Sequence, residues 1–283
     1  MNNEMAVPKR IFTYWAQGFH DAPLVVRTCV RRLVHLHPDW ELHLLDSESV
    51  WSRLSGIDVA PEKWGRLCIA HQSDLIRTKL LIEHGGVWMD PTVYCATALD
   101  DWLPRAARNG LFFFRNPGAD RMVSNWLVAG QPGHVALQIL YRRLYGYWNE
   151  KRLDRIKTRP GKLEYAIGRL INRNTRLTRL WMSWPLRRLL QTTPHMIYHY
   201  MVNDLFVREP DFGEALKAMP EMSAWEAHAL QRVGLLAEVS SEILDMLECA
   251  RSPVFKLNWR LPERPDENSL IAYLSRCTEA DTA

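Results

Sequence analysis

The sequence predicts an α/β fold, with a sheet flanked by helices that is complete by about residue 150 and is followed by a largely helical C-terminal part. Three observations carry that expectation. An apolar, β-branched run at 10–15 and a short strand at 40–45 bracket a stretch with helical spacing, which makes a strand–helix–strand unit. A longer helical stretch at 63–83 runs through a Gly-Gly break into a wholly apolar strand. Beyond residue 150 the pattern turns helical and basic.

Residues 10–15, RIFTYW, form the first strand, and Gly18 closes it where the chain opens into a loop. Between 24 and 37, Val26, Val30, Leu33 and Val34 recur at helical spacing. That helix stops before Pro38, because the residue ahead of a proline avoids helical backbone. Residues 40–45 give the second strand. The stretch 63–83 sets Ile69, Ile76 and Leu80 on one stripe and ends at Gly85-Gly86, where positive φ costs little. Val87-Trp88-Met89 is a buried strand, 111–114 and 123–128 supply further strands, and 134–148 a helix. The aromatic block PHMIYHYMVNDLF, a helix at 221–233 and a strand-like PVFKLNW precede a polar tail, and no internal repeat is present. Residues 1–150 are thus expected to form a core, and 151–283 a helical, basic part that completes it within one continuous globule.

A chain of 283 residues, 47% hydrophobic, can bury a sizeable core without disulfides. Its five cysteines are odd in number and widely spaced, with no CxxC, so neither a disulfide framework nor a zinc site is indicated and a reducing cytosol is expected. The opening MNNEMAVPKR has no apolar leader, and no stretch approaches the ~18 apolar residues of a membrane span. A cytoplasmic protein, peripheral at most on the inner face of the plasma membrane, is the expectation. The net charge of +4 conceals a segregation: from 151 to 190 twelve Lys or Arg stand against Asp154 and Glu164 alone. There Leu170, Leu177, Leu180, Trp181 and Trp184 interleave with Arg169, Arg173, Arg176 and Arg179, as in a basic amphipathic helix. Such a helix suits an anionic membrane or an acidic polysaccharide, and equally a solvated helix packed by its Leu face. No nucleic-acid motif accompanies it, so nucleic acid is not an expected partner.

Asp74 and Arg77, three residues apart on a helix, share one edge and can address one ligand together. Asp90 stands where a buried strand meets a loop, the place where open α/β sheets bind ligands. Two carboxylates and a guanidinium in one crevice suit a sugar diphosphate and its cation. By spacing alone, the same residues also describe a surface ion pair and an ordinary Asp-Pro turn.

The blocks PKRIFTYWAQG, HQSDLIRTKLLIEHGGVWMDPTVY and VSNWLVAGQPGHVAL, with a closing KLNW, resemble the capsular polysaccharide synthesis protein family. These are bacterial DXD-type sugar-binding glycosyltransferases, related to yeast initiating mannosyltransferases and clostridial glucosylating toxins. The resemblance implies a GT-A-like, Rossmann-type mixed sheet and a hexosyltransferase that moves sugar with retention from a UDP- or GDP-sugar to a glycan or lipid-linked glycan. It implies catalytic roles for Asp74, Arg77 and Asp90. Donor contacts are implied for Trp15, stacking on the base, and for Asp74, Arg77, Gly85, Gly86, Asn125 and Lys256. A divalent cation, Mn or Mg, is implied at Asp90, Thr92 and His199, although Thr92 replaces the motif's second Asp and so weakens the site. Trp15 and His199 also read as core residues, Asn125 as a turn residue and Lys256 as a solvated strand residue. A catalytically inactive glycan-binding protein is the alternative function that Thr92 leaves open.

Overall fold

The computed structural model describes residues 7–156, 161–248, 252–261 and 265–280. Its strands in chain order are β1 (Arg10–Tyr14), β2 (Glu41–Leu45), β3 (Gly86–Met89), β4 (Val93–Cys95), β5 (Leu111–Gly118), β6 (Arg121–Gly130) and β7 (Val254–Lys256). Five make the main sheet in the order β2-β1-β3-β6-β5, while β4 and β7 pair as a separate ribbon. β1 runs parallel to β2 and β3, and β6 is antiparallel to both β3 and β5, so the sheet is mixed, as expected.

Alternation along these strands feeds two cores. Phe12, Trp88, Phe113 and Val128 face the helices Ile69–His84 and Val135–Glu150, whose Leu80, Leu81, Leu137 and Leu140 join the same cluster. Ile11, Val87, Phe112 and Ala129 point the other way, into a cluster with Leu33, Trp40, Leu103 and Ala224. Because both faces are covered, the central strands read as continuous apolar runs in the sequence. The first cluster extends to Met219 without a break at residue 150.

Several expected elements are divided. The stretch 63–83 is two helices, Pro61–Trp64 and Ile69–His84, because Gly65 caps the first and Cys68 is extended (φ −68, ψ 155) before the second. Ile69 is consequently exposed, and Leu75 joins Ile76 and Leu80 in the core. The helix at 221–233 is likewise two short turns, Ala224–Ala227 and Ala229–Val233, meeting at His228. No single amphipathic helix covers 151–190: Lys162–Ile171 is helical, Asn174 starts a new turn by accepting from the Arg176 and Leu177 amides, and Pro185 opens another. Residues 157–160 of that stretch lie outside the described residues. The aromatic block forms the helix Ile197–Arg208, packed on β6.

Strand register fixes where the sheet offers a site. Ile11 pairs with Val87 and Phe12 with Trp88, so two residues further on Tyr14 stands level with Asp90. Trp15 and Asp90 therefore leave neighbouring parallel strands at the same sheet edge. The chain passes from β1 to β2 on one side and returns to β3 on the other, which makes this edge the switch point where α/β sheets bind ligands.

Candidate functional site

The helix Ile69–His84 carries Asp74 and Arg77 on its inward side, both buried despite their charge. Buried charges need partners, and these have them. The Asn125 amide donates to Asp74 Oδ1 at 2.9 Å, and the Arg77 guanidinium lies 3.5 Å from the same oxygen. Arg77 donates through Nε to the Ser73 carbonyl at 3.1 Å and through a terminal nitrogen to the Asn125 carbonyl. Its guanidinium also lies over the Trp88 and Tyr198 rings, 5.0 and 5.9 Å from their centroids. Fixed in this way, Arg77 reaches to 4.0 Å from Asp90 Oδ1.

Asp90 is held at the end of β3 by its own amide, which donates to the Trp126 carbonyl at 2.7 Å. The Trp88 indole donates to Oδ1 at 3.0 Å, and the Lys256 ammonium stands 3.2 Å from Oδ2. Burial alone would raise this carboxyl, but Lys256, Arg77 and the Trp88 hydrogen bond outweigh it and hold Asp90 below the usual carboxylate range. Lys256 also donates to the Thr92 hydroxyl. The β4–β7 pairing sets this contact, since Val93 is opposite Lys256 and the Leu257 amide donates to the Thr92 carbonyl at 2.9 Å.

A crevice of about 240 Å³ brings Asp74, Arg77, Asp90, Asn125 and His199 together. Its far wall is the start of the helix Ile197–Arg208 and the turn before it, with His195, Tyr198 and His199. Burial lowers His199 to about 4, with Arg121 and Arg77 acting in the same sense and Asp74 against them, so its imidazole is neutral at pH 7. Burial also lowers His195 and His228. Positive charge along the crevice is therefore supplied by Arg77, Arg121 and Lys256, and behind Asp74 by His71, which lies 3.8 Å from its carboxylate and is raised to about 9 against burial by its contacts with Asp74 and Cys68. Ser124, Trp126 and His199 line the crevice, and Ser124 Oγ, Trp126 Nε1 and His199 Nδ1 are buried with no hydrogen-bond partner among the described residues. A polar ligand would relieve that cost.

Three nominated donor residues lie elsewhere. Gly85 (φ +65) and Gly86 (φ +100) sit at the opposite end of β3 from Asp90. A Cβ on Gly86 would come 2.5 Å from the Arg10 carbonyl oxygen, and one on Gly85 2.5 Å from the Pro132 ring. Their role is to let the helix turn into β3 against β1, which corrects the expectation of a donor contact. Trp15 shares the sheet edge with Asp90 but is outside the crevice wall; it meets Trp259 edge to face at 5.5 Å. Trp259 and Ala22 help to wall a second cavity of about 800 Å³. Arg121, Ser124, Trp126, His195 and His228 were not singled out from the sequence. Only His195, four residues before His199, and the SerAsnTrp block around Asn125 offered a signal.

Asp90, Thr92 and His199 do not compose a site for a divalent cation. Among the described residues no group of three or more His, Cys, Asp or Glu has metal-holding geometry. The Lys256 ammonium, bonded to both Asp90 and Thr92, takes the space between them, where an ion would meet a like charge at contact distance. The residues present thus do not fit the cation that the sequence motif led us to expect.

Comparison with known proteins adds three findings. The family described as capsular polysaccharide synthesis protein matches residues 1–155. "O-glycosyltransferase braB" of Annulohypoxylon truncatum is 26% identical over 140 residues, covering 43% of this chain and 33% of that protein. The chain thus spans about a third of the length of the curated relative it matches. A solved structure, "PaToxG Glycosyltransferase", is 12% identical with a TM-score of 0.39, over 89% of each chain.

Proposed function

From the premise that this chain belongs to the capsular polysaccharide synthesis protein family, we propose that it is a glycosyltransferase acting on a nucleotide-diphospho-sugar. The observation that carries the proposal is the run of alternating charge Asp74–Arg77–Asp90–Lys256 at the switch point of the sheet. Cleaving a glycosyl diphosphate places negative charge on the leaving oxygen and positive charge on the sugar, so fixed charges at the site are worth more than a nucleophile. Lys256 and Arg77 face the diphosphate, Asp74 and Asn125 take sugar or ribose hydroxyls, and Asp90 orients both cations. Neither crevice carboxylate serves as nucleophile, since both are occupied by donors. The bond from the anomeric carbon to the diphosphate oxygen breaks. An acceptor hydroxyl takes its place on the same face, and its proton leaves on the departing diphosphate, which gives retention.

Trp15 and Trp259 carry this site toward the nucleotide base. β7 ends at Lys256, and three residues later Trp259 reaches Trp15, so one short segment joins the diphosphate region to an aromatic corner suited to a base. The acceptor class in this reading is a glycan or lipid-linked glycan of surface polysaccharide synthesis, worked on from the cytoplasmic side. Thermal denaturation with a panel of UDP- and GDP-sugars tests the site. One donor should raise the midpoint in a concentration-dependent way, as native-state binding requires. A midpoint unmoved by every nucleotide sugar, but raised by a free glycan, would favour a glycan-binding protein instead.

A further inference from the structure

We propose that the outer face of residues 162–190 is a docking surface for an anionic lipid bilayer, set beside the crevice. Among the described residues, every large apolar side chain more than 60% exposed lies here: Tyr165 (72%), Leu170 (63%), Trp184 (64%) and Leu189 (68%). Such exposed apolar side chains concentrated in one segment of the chain mark an interaction surface. The segment is nonetheless anchored. Ile167 and Ile171 pack on the main core, and buried Trp181 stacks parallel to Tyr200, its indole donating to Asn172 at 2.8 Å. The apolar groups that remain outside are therefore those the fold leaves unused.

Charge selects the partner. Seven Lys or Arg and one carboxylate, Glu164, lie between 162 and 190. Glu164 is buried and accepts from the Gly161 amide at 3.0 Å, so it does not offset the outer face. Arg169, Arg173 and Arg176 have no carboxylate within ion-pair distance among the described residues, and Arg169 and Arg173 flank the groove that holds Leu170. Arg187 and Arg188 are engaged with Glu150. An acidic polysaccharide would satisfy the arginines and leave Leu170, Leu189 and Trp184 in water. The boundary layer of an anionic bilayer accepts both sets, and Trp favours that layer. The surface adjoins the site, because His195 and Met196 line both the crevice and the neighbouring groove that contains Tyr165 and Arg169.

Vesicle flotation of the full chain tests this. The protein should float with vesicles containing phosphatidylglycerol and remain below with pure phosphatidylcholine. Arg169→Glu/Arg173→Glu should lower the bound fraction at least roughly tenfold. Leu170→Ser/Trp184→Ser should lower it with the charge intact, and each variant should keep the wild-type thermal midpoint. Arg105→Glu/Arg108→Glu, an equal charge change at exposed sites elsewhere, should float like the wild type. No flotation with anionic vesicles, an equal loss in the Arg105/Arg108 variant, an unaffected Leu170/Trp184 variant, or capture by an acidic polysaccharide without flotation would each overturn the proposal. Donor hydrolysis is independent of these readouts, so failure of docking and failure of the proposed chemistry remain distinguishable.

Discussion

Lys256 decides the electrostatics of the crevice. It bonds to Asp90 and Thr92 together, the two positions at which the sequence motif suggested a metal. A fixed ammonium can neutralise a departing diphosphate as a cation does, though as a single charge. Two outcomes follow for the released nucleoside diphosphate. If Lys256 does the neutralising, a chelator should leave the wild-type rate within about twofold. Lys256→Met should lower the rate on the order of a hundredfold at an unchanged thermal midpoint. Loss of activity in chelator, restored by Mn or Mg, would show that Lys256 yields its place to a metal. Asp74, Arg77, Asp90 and Asn125 were legible because helix spacing, the strand end and the family blocks all pointed to them. The Lys256–Thr92 contact was not, since its partners are 164 positions apart and meet only through a ribbon of two three-residue strands.

At the scale of elements, the central strands were legible because both faces of the sheet are covered there and β1, β3 and the buried parts of β5 and β6 stay largely apolar. Breaks were harder to see. Gly65 and the extended Cys68 interrupt a run that otherwise keeps helical spacing, and β4 has only three residues to announce itself. Gly85-Gly86 was located correctly as a helix end, but its purpose is close packing. Gly86→Ala should therefore cost about 2 kcal/mol or more in urea denaturation, from strained positive φ and collision with the Arg10 carbonyl. The folded fraction should bind donor as the wild type does. An unchanged stability with lost donor binding would return the pair to the site.

In the whole molecule, two regions of different character meet at one crevice. The family match spans 1–155 and includes Asp74, Arg77, Asp90 and Asn125, while His199 and Lys256 arrive from beyond it through the helix Ile197–Arg208 and β7. Charge segregation along the chain was plain in the sequence. That it would take the form of several short turns, with apolar side chains outward, was not, because Asn174 and Pro185 act through local hydrogen bonds that a count of charges does not register. No helix among the described residues is long and apolar enough to cross a membrane. The central claim, that the Asp90 crevice cleaves a nucleotide-diphospho-sugar, is tested most directly by nucleoside diphosphate release from the donor that stabilises the protein, wild type against Asp90→Asn. Steady release by the wild type, lowered at least roughly a hundredfold in a variant with the same thermal midpoint, is the predicted result. Equal release by both proteins, or none by the wild type with any donor, would contradict it.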